Sequence, residues 1–244
     1  MVNLAPPEEH FASEKQVVLE ERRQRTENNP RGLFTEQIKS ALYINHPYGT
    51  PVIGWMNEIK GYSWSDVKTF YDTWYAPNNA ILIISGNITM DEIKPLAHKI
   101  FGGIKPKELP KRTRTNIPPS IGSSLMTLRH ETINQPSYLN IRLAPSFSQD
   151  KEDSLALQVL QEVRRGGATT RLYKNLVVEQ KKAVSVSMSY QSSSLNDTTI
   201  WMTATPADGI SLEEIEKSIA SEIQNVIDNG VTEEEVSDAI QRMT

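Results

Sequence analysis

Apolar and polar positions fall at helical spacing through the first part of the chain, which predicts one helix from about Pro7 to Thr26 and a second from about Gly32 to Tyr43. The turn formers of "NHPYGTP" close that pair. In "SWSDVKTFYDTWY", Val67, Phe70, Tyr71 and Trp74 repeat with helical spacing behind a Ser63/Asp66 capping box, so a further helix is expected there. "AILIIS", Ala80 to Ser85, reads as a buried strand from its length and β-branched content. "GN" then turns the chain, and "TMDEIKPLAHKIF" opens with a Thr89/Glu92 capping box. Pro95 lies near the start of that helix and costs it one backbone bond.

Residues 102–122 concentrate Gly, Pro and charge without a period, and mark a linker with a domain boundary near Arg112. Beyond it, "SLMTLRHE" and "SYLNIRLAP" alternate as half-buried strands do, and "DSLALQVLQEVRR" is an amphipathic helix. "GGATTRLYKNLVVEQ" opens on a glycine pair and continues as a helix. Two alternating stretches follow, "AVSVSMSYQ" and "TTIWMTATP", expected as antiparallel neighbours. "AILIISGNITMDEIKPLAHKIF" and "TTIWMTATPADGISLEEIEKSIASEI" share one order of strand, turn and capped helix, the second capped by Ser211 and Glu214. The expected fold is therefore α+β: two homologous sandwich-like units, each an antiparallel-rich sheet with helices on one face.

Composition narrows the function classes. With 244 residues, 38% hydrophobic and 23% charged, the chain suits one large domain or two smaller ones. Lys+Arg 26 against Asp+Glu 30 gives a net charge of -4, and no basic stripe exists to follow a phosphate backbone, which argues against nucleic acid. The basic cluster Lys105 to Arg114, "KPKELPKRTR", is broken by prolines and a glutamate and reads as a solvated linker. There is no cysteine, so disulfides and thiolate metal sites are excluded. No apolar run approaches a membrane span, and "MVNLAPPEEHF" lacks the layout of a signal peptide. "GVTEEEVSDAIQRMT" starts a helix and stops within it, so a piece of a longer protein is expected.

Candidate chemistry centres on "SEKQVVLEERRQRTENNP", where Val17, Val18 and Leu19 form a short apolar seam among charges. Glu14 and Glu21 stand seven residues apart, so at about 100° per residue they fall within about 20° of each other on one helix face. Spacing alone favours a solvated acidic face, helped by Arg22, Arg23 and Arg25. A zinc site needs at least three protein ligands, commonly two His on one helix turn plus a carboxylate. The histidines are His10, His46, His98 and His130, no two of them four apart, so neither H-x-x-E-H nor any H-x-x-x-H pair is present. "RRGGATTRL", Arg164 to Leu172, lacks the phosphate-loop spacing, and no serine sits in a G-x-S-x-G setting. His46 reads as a loop or packing residue, His98 and His130 as surface or strand residues, and His10 as a local partner of Glu14.

Taken together, "EKQVVLEERRQRTENNP", "HPYGTPVIGW", "FYDTWYAPNNAILIISGNI", "GGATTRLYKNLVVEQ" and "NGVTEEEVSDA" resemble, in order and over nearly the whole chain, the pitrilysin family of zinc metallopeptidases. The branch most resembled is the bacterial one related to mitochondrial processing peptidase. Members carry an H-x-x-E-H helix upstream, whose histidines bind zinc and whose glutamate is the general base. The third zinc ligand is a glutamate on a later helix, preceded seven residues earlier by a supporting glutamate. The resemblance thus implies Glu21 as a metal ligand and Glu14 as its support, with no catalytic base in these 244 residues.

It further implies that residues 1–111 are the C-terminal part of a zinc-bearing first domain and 112–244 a truncated second domain. Many relatives have an Arg and a Tyr seven residues apart in the second domain that reach toward substrate; here those positions hold Val177 and Val184, which offer no hydrogen bond to a substrate carbonyl. The implied protein is a zinc endopeptidase subunit acting on peptides or unfolded segments. Its Arg/Tyr pair comes from a homologous partner subunit, or the protein is a homo-oligomer. Zinc is implied for the intact protein and not for this fragment, which alone is expected to be inactive. The compartment stays open between bacterial periplasm and cytoplasm. The competing expectations are a noncatalytic structural subunit of the same fold, as in respiratory complexes, and a substrate-binding subunit.

Overall fold

The computed structural model describes residue 4 and residues 7–165 and 171–243. The chain separates into two compact units, Met1–Thr115 and Asn116–Thr244.

In the first unit a short 3₁₀ turn, Glu8–His10, leads into helix α1, Phe11–Arg22, which widens into a π-type turn at Arg23–Glu27. Helix α2 runs from Pro30 to Leu42 and so starts two residues before the predicted Gly32. The reason is local: the Asn29 side chain accepts from the backbone N–H groups of Arg31 and Gly32, and Pro30 takes the first helical position, where no N–H is needed. Short α3, Met56–Gly61, is followed by α4, Trp64–Trp74, and α5, Met90–Phe101. The latter two start at the capping boxes read from the sequence, and α5 continues through Pro95. Among the described residues, Leu19, Tyr43, Ile59 and Ala76 are the buried apolar side chains of this unit.

Two expectations fail here. Ala80–Ser85 is neither a strand nor buried: Ile81 is 89% and Ile83 85% exposed. None of the backbone N–H groups of residues 81–85 has a partner among the described residues. A β-rich run becomes a strand only where a second strand accepts its ladder, and none lies beside it. "SLMTLRHE" fails in the same way, with Leu125 in solvent and no pairing. The basic cluster is tethered and not a free linker. Lys107 and Asn78 exchange backbone and amide bonds at 2.9 and 3.1 Å, and the Arg112 guanidinium reaches Asn79 at 3.1 Å while lying over Trp74.

The second unit holds an antiparallel sheet of order β1-β3-β2, made of β1 Tyr138–Ala144, β2 Ala183–Tyr190 and β3 Thr198–Pro206. Helix α6, Lys151–Arg165, packs against β2. Helix α7, Arg171–Tyr173, continues as a π-type turn at Lys174–Glu179, and α8, Leu212–Asn229, lies on β1 and β3. Helix α9, Glu233–Met243, packs on α6. Leu172, Leu176, Met188, Met202, Ile215 and Ile219 make the core, so the helices cover the face that carries Met188 and Met202. The other face is polar: Ser187 bonds Thr203 at 2.7 Å, and the Trp201 indole N–H donates to Thr199 at 2.8 Å. That alternation is what made these strands readable. The unit is α+β with helices on one face, as expected; the glycine-rich segment 166–170 lies outside the described residues.

Helix α8 ends at Gly230, whose φ of 69° suits a residue without Cβ, and Arg171 donates to the Gly230 carbonyl at 3.1 Å and grips both oxygens of Glu235. Partial burial would raise the Glu235 pKa, but the Thr232 backbone N–H and the Arg171 guanidinium outweigh it and hold the carboxyl below the usual range. A folded-state pKa below the unfolded one adds stability above the unfolded value, and that increment is lost as pH falls through the folded value. In urea titrations of Glu235→Gln, the slope of stability against pH below the ordinary glutamate range should be shallower than in the parent chain. An identical slope would mean that the pair is screened by solvent.

Candidate functional site: the outward face of the first helix

Helix α1 presents two pairs of charges, each seven residues apart, one step of the helix from each other. Lys15 and Arg22 flank buried Leu19 on the inward stripe. The Lys15 ammonium donates to the carbonyls of Lys60 at 2.6 Å and Tyr62 at 2.9 Å, where the end of α3 offers unpaired oxygens, and lies beside the rings of Phe11 and Tyr62. Arg22 is 2% exposed. Its guanidinium takes both oxygens of Glu36 on α2 at 2.8 and 2.9 Å, Glu27 at 3.0 Å, and the carbonyl of Gly54 at 2.7 Å. Hydrogen bonding to Glu36 raises its pKa above the ordinary guanidinium value, against the burial that would lower it.

Those contacts correct the reading of Arg22 as part of a solvated acidic face, and they fix which way α1 turns. With 15, 19 and 22 inward, Glu14 and Glu21 are left toward solvent, Glu14 exposed and the Glu21 side chain 43% exposed. Arg25 pairs with Glu21 at 3.0 Å, and Arg23 pairs with Glu20. The two candidate carboxylates share a face but do not meet, since seven residues of helix span about 10 Å along the axis. The apolar seam is only partly buried: Val17 is exposed, Val18 half-buried and Leu19 buried.

The other candidates are scattered. The ion pair of His10 is with Glu9, at 3.9 Å, and not with Glu14. His46 is buried between Tyr43 and Tyr48, its Nδ1 accepting from the Tyr48 backbone N–H, which is the packing role expected of it. His98 and His130 are exposed, as expected. Val177 packs against the core of the second unit. Val184 is the extra residue where the β2 register shifts between Ala183 and Ser185, and it projects outward, 56% exposed. Nothing in the alternating sequence marked that bulge.

Among the described residues no group of three or more His, Cys, Asp or Glu is placed to hold a metal ion. Glu21 can offer one carboxylate and Glu14 is too distant to join it, so these residues do not make a zinc site among themselves. Among the described residues no helix is long and apolar enough to cross a membrane.

Comparison with known proteins supplies the family. Residues 63–243 match the family described as "Peptidase M16 inactive domain". The zinc protease PqqE of Helicobacter pylori is 26% identical over 97% of this chain and 53% of its own length. Among solved structures, a protease from Helicobacter pylori superposes with TM-score 0.84 at 24% identity, over 98% of this chain and 58% of that one. A peptidase M16 inactive domain from Pseudomonas fluorescens gives TM-score 0.75 at 18% identity, over 97% and 56%. The chain spans about half the length of these relatives. With three-quarters of its residues inside the family match, the chain belongs to the M16 peptidase family, in the part described as its inactive domain.

Proposed function

We propose that the chain is an inner portion of a longer M16 zinc endopeptidase subunit, in which Glu21 supplies one metal ligand and Glu14 supports the site. Residues 1–111 would complete a zinc-bearing first domain and 112–244 form a homologous second domain truncated at its C-terminus. The observation that carries this reading is the orientation of α1: Lys15, Leu19 and Arg22 hold it so that Glu21 faces outward. The likeness over nearly the whole chain to a protein twice as long and named a zinc protease supports it. Substrates would be peptides or unfolded segments. With Val177 packed against the core and Val184 apolar, the polar groups that contact a bound peptide would come from a homologous subunit.

A noncatalytic subunit is the second reading, favoured by the family description of residues 63–243 as an inactive domain. Zinc content separates the two. The native protein, purified from its source and dialysed, should retain about one zinc per chain and cleave an unfolded protein such as casein in a chelator-sensitive way. The 244-residue chain should do neither. A native protein without zinc or chelator-sensitive cleavage would leave the noncatalytic reading standing.

A further inference from the structure

The run Lys105–Arg114 holds five cations against one carboxylate, Glu108, a net of +4 in a chain whose net charge is -4. It has neither helix nor strand, yet it is fixed at the end of α4 in two places. At the first, the Lys107 backbone exchanges bonds with the Asn78 side chain, and its ammonium donates to the Asp72 carbonyl at 3.0 Å beside the Tyr71 ring. At the second, the Arg112 guanidinium lies over Trp74 and donates to Asn79. Pro106 and Pro110, each next to or between these tethers, narrow the backbone further.

The tethers use two of the five cations and leave three. Lys105 stands two residues before the first tether, and Lys111 and Arg114 stand on either side of the second, all three exposed. None of their charged groups takes part in an ion pair or a hydrogen bond among the described residues. A flexible basic tail loses conformational freedom when it meets a ligand; here that ordering is already in place.

We propose that this tethered run is a docking surface for an acidic, extended peptide segment, and that it draws substrates carrying such a segment to the intact protein. The second half rests on the peptidase reading; the binding does not. A peptide matches the run better than other anions do. The rings beside it, Tyr71 and Trp74, each lie by a cation already, which leaves no face for a nucleic-acid base to stack on. Its one aliphatic side chain, Leu109, is half-buried, so nothing apolar is offered to the acyl layer of a membrane.

Fluorescence anisotropy tests it, with an oligo-glutamate peptide and its oligo-glutamine counterpart as probes and the intact protein treated with chelator so that nothing is cleaved. At low salt the oligo-glutamate should bind at least about tenfold more tightly, the scale of three exposed ion pairs together, and the difference should shrink as salt rises. The triple variant Lys105→Gln/Lys111→Gln/Arg114→Gln should remove the difference and shift Tm by no more than about 2 °C, since all three side chains are in water. Lys94→Gln/Lys99→Gln takes charge from exposed lysines of α5 and should leave the difference in place. Equal losses in the two variants would mean diffuse attraction to a charged surface and overturn the proposal. Asn78→Ala releases the Lys107 backbone without changing any charge and should weaken oligo-glutamate binding by about threefold, the scale of one ordered side chain set free; unchanged binding would count against a preformed surface. Tighter binding of a duplex oligonucleotide or of phosphatidylglycerol vesicles at the same salt would name another partner and sink the peptide. So would salt-sensitive self-association that the triple variant abolishes. In cleavage assays an acidic flank on the substrate should lower KM with little change in kcat, and the triple variant should raise that KM again; a KM indifferent to the flank would remove the role in substrate choice. A protein that binds oligo-glutamate through this run and cleaves nothing would fail the peptidase reading and keep the docking surface.

Discussion

Glu21→Gln in the intact protein is expected to lower zinc affinity, and peptidase activity with it, by about a hundredfold or more while leaving the fold in place. The size follows from what the substitution removes. Altering an outer partner of a metal ligand typically costs 10- to 100-fold, and removing a ligand lies at or beyond the upper end of that range. Glutamine keeps the shape and hydrogen-bonding reach of glutamate but carries no negative charge for a divalent cation. The structural cost is small, because the visible partner of Glu21 is Arg25 one turn on, 75% exposed, and such a pair contributes about 0.3–0.5 kcal/mol. For the same reason Arg25 is no obstacle to a metal: the carboxylate gives up a weak, solvated contact when it turns to a cation. Arg25→Ala is the matched control and should change zinc affinity by less than about threefold, the free-energy scale of one exposed pair. Metal content by atomic spectroscopy and chelator titration are the readouts. Full zinc content and activity in Glu21→Gln would make this residue a surface charge and remove it from the site.

What the sequence disclosed and what it hid divide along a physical line. The three capping boxes, Ser63/Asp66, Thr89/Glu92 and Ser211/Glu214, were legible because donor and acceptor lie three residues apart and need nothing else. Strands β1, β2 and β3 were legible because their apolar face meets a helix layer and their ladder partners lie within the chain. Ala80–Ser85 carries a β signal of its own in three isoleucines, yet it is unpaired, since strand propensity describes a fit to neighbours that local sequence cannot supply. At the candidate site, the shared face of Glu14 and Glu21 was readable from helix geometry, whereas the role of Arg22 was not. A count of charges on α1 places Arg22 with Arg23 and Arg25 in solvent. Only its position three residues after Leu19, the one deeply buried apolar residue of the helix, hinted that it faces inward.

That inward arginine carries the second large effect: Arg22→Met is expected to destabilise the first unit by about 3–5 kcal/mol, the usual cost of leaving a buried charge without its partner. Glu36 would be the stranded group, its side chain only 11% exposed and both oxygens committed to the guanidinium. The Gly54 carbonyl would lose its 2.7 Å donor as well. Arg22→Lys should recover little, because one ammonium cannot span two carboxylates and a carbonyl from the same helix position. The double variant Arg22→Met/Glu36→Met should recover most of the loss, since an apolar pair of similar volume often matches or exceeds a buried ion pair. Denaturant unfolding followed by tryptophan fluorescence reads this well, three of the four tryptophans, Trp55, Trp64 and Trp74, lying in the first unit. A loss below about 1 kcal/mol for Arg22→Met, in the range of an exposed pair, would show that water reaches the cluster and that α1 is held by Leu19 and Lys15 alone. A large loss relieved by the double variant would show that the orientation of the Glu14 and Glu21 face depends on a buried charge pair with no contact to either carboxylate.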